Sequence, residues 1–246
     1  MRFIDVTDHP PTVGANQLIV TDKIPDETSY GEEVQRFIDD LDTTNMEEWG
    51  QHSIIARFKG TNPDLDNEVV ILGAQLDSVN QWMPPTGRSP GADDDGSGTV
   101  TILEAFRSLV FNGFEPERPV EFHWYSAEKR GCWENHMTGY IGDQGEVIGI
   151  VTDYIDGKVT KFIATLVDAY ASISYVLTEC GYACSDHASW GEYGYPSAFI
   201  MESKVDASNR DVRTKSDTID KLSFDHMKEL AKVDIGFAVE LSHQRE

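Results

Sequence analysis

The chain has 246 residues, 39% of them hydrophobic, with 20 basic against 43 acidic side chains and a formal charge of −23. That length supports one large core, and no apolar run approaches the ~20 residues that a membrane-crossing helix needs. An acidic surface of this size repels nucleic acid and anionic lipid, so neither is an expected partner, and it modestly favours cationic ligands.

The first twenty residues include Asp5, Asp8, His9, Pro10 and Pro11. A secretory leader needs a basic start and an unbroken apolar stretch, so no signal peptide is read there. The segment 1–50 is the least regular and is expected to be part of the same folding unit as residues 51–246. Within it, residues 32–41 set Val34, Phe37, Ile38 and Leu41 at helical spacing. Residues 53–58 alternate as a strand, and 68–74 read as a fully buried one. A loop dense in Pro, Gly and Asp follows, and then residues 99–110 place Ile102, Leu103, Phe106 and Leu109 at helical spacing. Further buried strands are expected over 120–125 and 147–152, amphipathic helices over 161–173 and 224–241, and a late strand over 195–201.

Strands alternating with helices predict an α/β fold around a mixed sheet, mostly parallel at its centre. In such sheets the chemistry gathers in loops at the carboxyl ends of strands, and residues 75–98, 126–131 and 202–218 qualify. The three cysteines are Cys132, Cys180 and Cys184. Cys180 and Cys184 are close enough to bridge across a tight turn, which implies an oxidising compartment. As a metal pair they lack a second pair to complete four ligands. Cys132 is left over.

Three segments carry the chemical information: Gly73-Ala-Gln-Leu-Asp77-Ser, Pro90-Gly-Ala-Asp93-Asp94-Asp95-Gly-Ser-Gly98 and Tyr125-Ser-Ala-Glu128-Lys129. Two more follow, Cys180 to Trp190 and Arg213-Thr-Lys-Ser-Asp217-Thr218. Together they resemble the secreted leucine aminopeptidases of bacteria and fungi, the co-catalytic di-zinc exopeptidases of peptidase clan MH. The resemblance runs with interruptions from about Ser53 to Glu240. It implies a three-layer α/β fold with helices on both faces of the sheet, a secreted monomer, a peptide or N-terminal amine as substrate, and a disulfide between Cys180 and Cys184.

The resemblance also implies a reaction. Two zinc ions share a water, lower its pKa and polarise the scissile carbonyl, while a free glutamate passes the proton on. Carried onto this chain, the glutamate is Glu128 and the bridging aspartate is Asp94. The other ligand positions are changed. Gln75 stands where the family has histidine, with the orienting aspartate kept as Asp77. Lys129 replaces a glutamate, Arg213 a histidine, and His136 an aspartate, the last being a different but chemically possible ligand. His136 follows Glu128 after a short connection where the family normally spends a helix and part of a strand. A neutral amide is a poor zinc ligand, and two cations repel metal, so zinc is expected to be absent or weakly bound.

Other readings of the same residues are a calcium-type acidic turn at Asp93–Asp95, whose spacing matches no known loop, and a rescuing ligand in His187, which is more readily a hydrogen-bonded structural residue. His123 reads as core or surface. No nucleophile elbow, zincin helix motif, phosphate loop or dinucleotide fingerprint appears. Three functions follow: a degenerate aminopeptidase homologue with lost or severely reduced catalysis, a working metallo-aminopeptidase using Asp94, His136 and a rerouted ligand such as His187, or a non-catalytic peptide- or amine-binding protein. If the site is degenerate, Asp94 needs a counter-charge. Either Lys129 or Arg213 points into the old metal site, or both face solvent.

Overall fold

Val120, Phe122 and Trp124 alternate along one strand with Glu121, His123 and Tyr125, and the two sets serve opposite faces. In the computed structural model, which describes residues 53–83, 86–126, 137–143 and 145–243 and the backbone of 18–21, that strand holds a mixed sheet together. Its neighbours are β1 (Leu18–Thr21), β2 (Ile54–Phe58) and β3 (Val70–Gln75), with β4 being Val120–Tyr125. The order is β1-β2-β4-β3, with β3 parallel to β4 and the other pairs antiparallel. A second sheet has the order β6-β5-β7, from β5 (Val147–Val151), β6 (Ser174–Thr178) and β7 (Ile200–Met201). The α/β architecture expected from the sequence is there, its described strands lying in two hydrogen-bonded groups.

Helix α1 (Gly98–Phe111) lays Ile102, Ala105 and Leu109 on Phe58, Leu72, Val120 and Phe122. Helix α2 (Gly157–Tyr170) packs Val159, Ile163, Leu166 and Val167 on Ile148 and Ile150 of β5. Helix α4 (Phe224–His243) touches both groups, through Leu230 and Val233 on one side and Ala238 on the other. On the opposite face of β5 and β7, Val151, Phe199 and Met201 form a third cluster with Met137 and Cys184. The short helix α3 (Asp186–Glu192) covers it, with the His187 ring stacked on Phe199 at 5.1 Å. Helices thus lie on both faces.

Boundaries moved where capping outweighs periodicity. Helix α2 starts four residues before the expected 161 because the Asp156 carboxylate accepts from the N–H groups of Lys158 (2.8 Å) and Val159 (3.0 Å). The expected strand over 195–201 narrows to Ile200–Met201, since Pro196 has no N–H to give a ladder. The helix expected over 32–41 lies outside the described residues.

Cys180 and Cys184 form a disulfide with their Cα atoms 6.1 Å apart. Gly181 between them takes φ 82°, a left-handed conformation that glycine adopts without a Cβ penalty. The Asp153 carboxylate fixes the loop by accepting from the N–H of Cys180 (3.1 Å) and Gly181 (2.7 Å). Thiol titration in denaturant without reductant is expected to find one reactive thiol of the three in the sequence, Cys132. Three reactive thiols would contradict the bridge.

Candidate functional site

The site forms where β3 ends. Gly91 turns the incoming loop at φ 62°, and a Cβ there would stand 2.4 Å from the Ser78 Cβ, so only glycine lets the chain pass. The acidic turn Asp93-Asp94-Asp95 follows, with all three residues buried. Asp95 Oδ2 accepts from the Gln75 N–H (2.8 Å), which ties the turn to the end of β3. Thr99 at the start of α1 donates its hydroxyl to Gln75 O (2.5 Å).

The loop 202–218 closes over this turn from the other side. Asp217 is fully buried, and its two carboxylate oxygens accept from the N–H groups of Asp93 (2.9 Å) and Asp94 (3.2 Å). Arg213 donates its Nε to Asp94 Oδ2 at 3.1 Å, with the Asp94 side chain 0% and that of Arg213 12% exposed. Arg213 is held at φ 59°, a region that costs a side-chain-bearing residue roughly 1–2 kcal/mol, and its carbonyl accepts from the Gln81 N–H (2.9 Å). Of the arrangements left open for the cations, the structure has Arg213 against Asp94.

The remaining site residues divide plainly. Gln75, Asp94 and Arg213 come together, and Asp77 lies half-buried just past β3. Glu128, Lys129, His136 and Cys132 lie outside the described residues. The segment after His136 is anchored to the acidic turn, for Gly139 N–H donates to Asp93 Oδ1 (3.2 Å) and Thr138 N–H to Ser97 Oγ (2.9 Å). His187 is buried with Nε2 3.3 Å from Asp153 O. His123 is buried between Glu121 (2.8 Å) and the Tyr125 hydroxyl (2.9 Å). Both histidines are built into the core.

Sequence reasoning missed a group of buried carboxyls beside the site. Asp93 Oδ2 accepts from Asn209 Nδ2 (2.9 Å). Glu202 accepts from the N–H groups of Tyr140 (2.6 Å) and Asn209 (3.1 Å), and its carboxyl neighbours that of Asp93. Burial raises both, Glu202 well above the usual carboxylate range, and the Asp93 charge pushes Glu202 further, because two adjacent carboxylates cannot both ionise. Burial pushes Asp217 up to about 6 against the two N–H bonds that favour its charge.

These shifts have a definite sign. A carboxyl raised in the fold keeps a proton that the unfolded chain has lost, so its contribution is full below the unfolded pKa and declines as pH rises through the folded one. For Asp217 that window runs from about 4 to about 6. His226, lowered chiefly by burial, acts in the opposite sense. Glu202→Gln cannot ionise, so the variant is expected to gain stability over the parent as pH rises above the carboxylate range. Urea midpoints of both proteins at stepped pH measure it, and parallel curves would contradict a raised Glu202 carboxyl.

Among the described residues the donor chemistry does not fit two zinc ions. Gln75 offers an amide, Arg213 places a cation on Asp94, and among the described residues no three His, Cys, Asp or Glu side chains converge as a metal site.

Residues 53–139 match Peptidase family M28. The chain is 46% identical to Leucine aminopeptidase 1 of Uncinocarpus reesii over 79% of its own length and 55% of that protein. It is 43% identical to Leucine aminopeptidase 1 of Aspergillus fumigatus, over 87% and 59%. It therefore spans little more than half the length of these curated relatives. Among solved structures, the LapA aminopeptidase of Legionella pneumophila superposes with a TM-score of 0.72 at 28% identity, covering 92% of this chain and 67% of that one. BSAP, a zinc aminopeptidase from Bacillus subtilis, shares the fold with a TM-score of 0.63 at 22% identity, over 78% and 50%. No helix among the described residues is long and apolar enough to cross a membrane.

Proposed function

We propose that this chain is a homologue of the M28 leucine aminopeptidases in which an arginine takes the place of metal, so that zinc-dependent removal of N-terminal residues is lost or severely reduced. The observation that carries this reading is the Arg213–Asp94 pair, 3.1 Å long, around a carboxylate with no exposed surface. In the family pattern the Asp94 position would hold zinc, and a guanidinium on one of its oxygens competes with metal both for that lone pair and for the space around it. Glu128 is then a general base without a polarised water to act on, and Lys129 adds a second cation beside it in sequence. Secretion, a monomeric state and a peptide or N-terminal amine as ligand belong to the same proposal and rest on the likeness to the fungal enzymes.

Elemental analysis of protein purified with micromolar zinc is expected to find less than one zinc per chain, with no turnover of a leucyl 4-nitroanilide above a metal-free blank. Two tightly held zinc ions with turnover would overturn the reading in favour of a working enzyme built on Asp94, His136 and a rerouted ligand.

A further inference from the structure

Among the described residues, strands β3 and β7 each end a sheet, and a cleft of about 300 Å³ is lined by residues of both strands. Backbone N–H and C=O groups alternate sides along a strand, and hydrogen bonds fix which way each points. On β3, Val70 N–H donates to Pro119 O (3.0 Å) and Leu76 N–H to Tyr125 O (2.7 Å), whereas Gln75 N–H turns the other way, to Asp95. Ile71 and Gly73 therefore aim their backbone groups away from β4 and into the cleft. On the far wall Val151 N–H donates to Phe199 O (3.0 Å), and Met201 pairs with Gly149. That turns Ala198 and Ile200 towards the cleft, and Glu202, the next in their series, already gives its N–H to Met137 O (2.8 Å). Two strand edges thus line one apolar slot. Ile102, Val233 and Phe237 close one side of it, and Tyr125 and Trp190 the other.

We propose that the cleft is a strand-acceptor site for an extended peptide supplied by another molecule. The chemistry of the site specifies that peptide. Donors and acceptors on both walls call for a bare backbone in β conformation, as in recognition by strand addition. Apolar cover on both faces calls for an uninterrupted apolar run. Glu68, Asp186 and Asp234 are among the lining residues, with Arg118 paired to Glu68 (2.7 Å), and the chain's formal charge of −23 favours a cationic ligand. The occupant is an apolar segment of about six residues, matched to β3, flanked by lysine or arginine. The inference stands whether or not zinc binds.

The test uses the intact protein and a fluorescein-labelled decapeptide of Val, Ile and Ala between paired lysines. Saturable binding is expected, with amide exchange at Ile71, Gly73 and Ile200 slowed by about tenfold or more, the scale of one backbone hydrogen bond. A peptide N-methylated at alternate residues is expected to bind about tenfold more weakly or worse. Ile71→Pro, which deletes an N–H on an edge where proline is tolerated, is expected to weaken binding similarly. Exchange in the unaltered protein decides the matter if that variant fails to fold. Absence of saturable binding, or equal affinity for the N-methylated peptide, overturns the proposal. So does equal affinity for a glutamate-flanked peptide, which removes the assigned partner class. Sedimentation of the free protein as a dimer with these same amides protected would assign the slot to a second copy and overturn it as well.

Discussion

Arg213→Met is expected to lower folding stability by about 3 kcal/mol, read from urea unfolding at neutral pH. The cause is what remains behind. Asp94 has no exposed surface, and removing the guanidinium strands a buried negative charge near Asp93 and Asp217. Breaking such a pair from one side costs far more than the pair itself contributes, because desolvation of the surviving ion is no longer offset. The double variant Arg213→Met, Asp94→Asn removes both charges and is expected to recover most of the loss. A double variant no more stable than Arg213→Met would mean that the Asp94 charge is not what destabilises the single one. If Arg213→Met instead leaves stability unchanged, the pair is not a structural element, and the case for a resident cation weakens with it.

Asp217→Ala is expected to cost about 3–5 kcal/mol, since hydrogen bonds to a charged group contribute roughly 1.5–3 kcal/mol each and this carboxylate accepts two, from Asp93 and Asp94. The side chain is fully buried, so the orphaned N–H groups gain little from water. Asp217→Asn keeps one acceptor oxygen and is expected to lose about half as much. Thermal and urea unfolding of both variants measure this. A loss well below 1 kcal/mol for the alanine variant would show that the turn holds its shape without the clasp. The two substitutions test one idea, that the loop 202–218 and the acidic turn form a single rigid unit.

Much of this unit was legible in the sequence, and the reasons are specific. Glu68 to Ala74, Val120 to Tyr125 and Val147 to Thr152 read as strands because buried strands concentrate β-branched and aromatic residues, and the structure has strands there. Strand β6 was not read. Its five residues are all exposed or half-buried, Leu177 is 59% exposed, and an edge strand with little apolar face leaves a weak pattern. Helix α3 escaped for a related reason: seven residues with only His187 buried carry no periodicity to detect.

At the site, the positions Gln75, Asp94 and Arg213 were found because each sits in a short contiguous motif. Their partners were another matter. Arg213 and Asp94 are 119 residues apart, and a motif says nothing about which way a long side chain points. The neighbouring carboxyls of Asp93 and Glu202 and the clasp by Asp217 likewise join segments more than a hundred residues apart in sequence. An aspartate in a motif looks the same whether it faces water or two backbone N–H groups.

The sequence alone therefore determined the fold class, the family likeness and the chemical identity of the altered ligand positions, because these follow from local residue type and spacing. Only the tertiary structure decided that Arg213 meets Asp94, that Asp93, Glu202 and Asp217 gather at the turn, and that β3 and β7 line one cleft. Each of these depends on the order in which strands are laid side by side and on where loops return. That order is set by long-range packing and by the length of the connections, and it leaves no periodic trace in the chain.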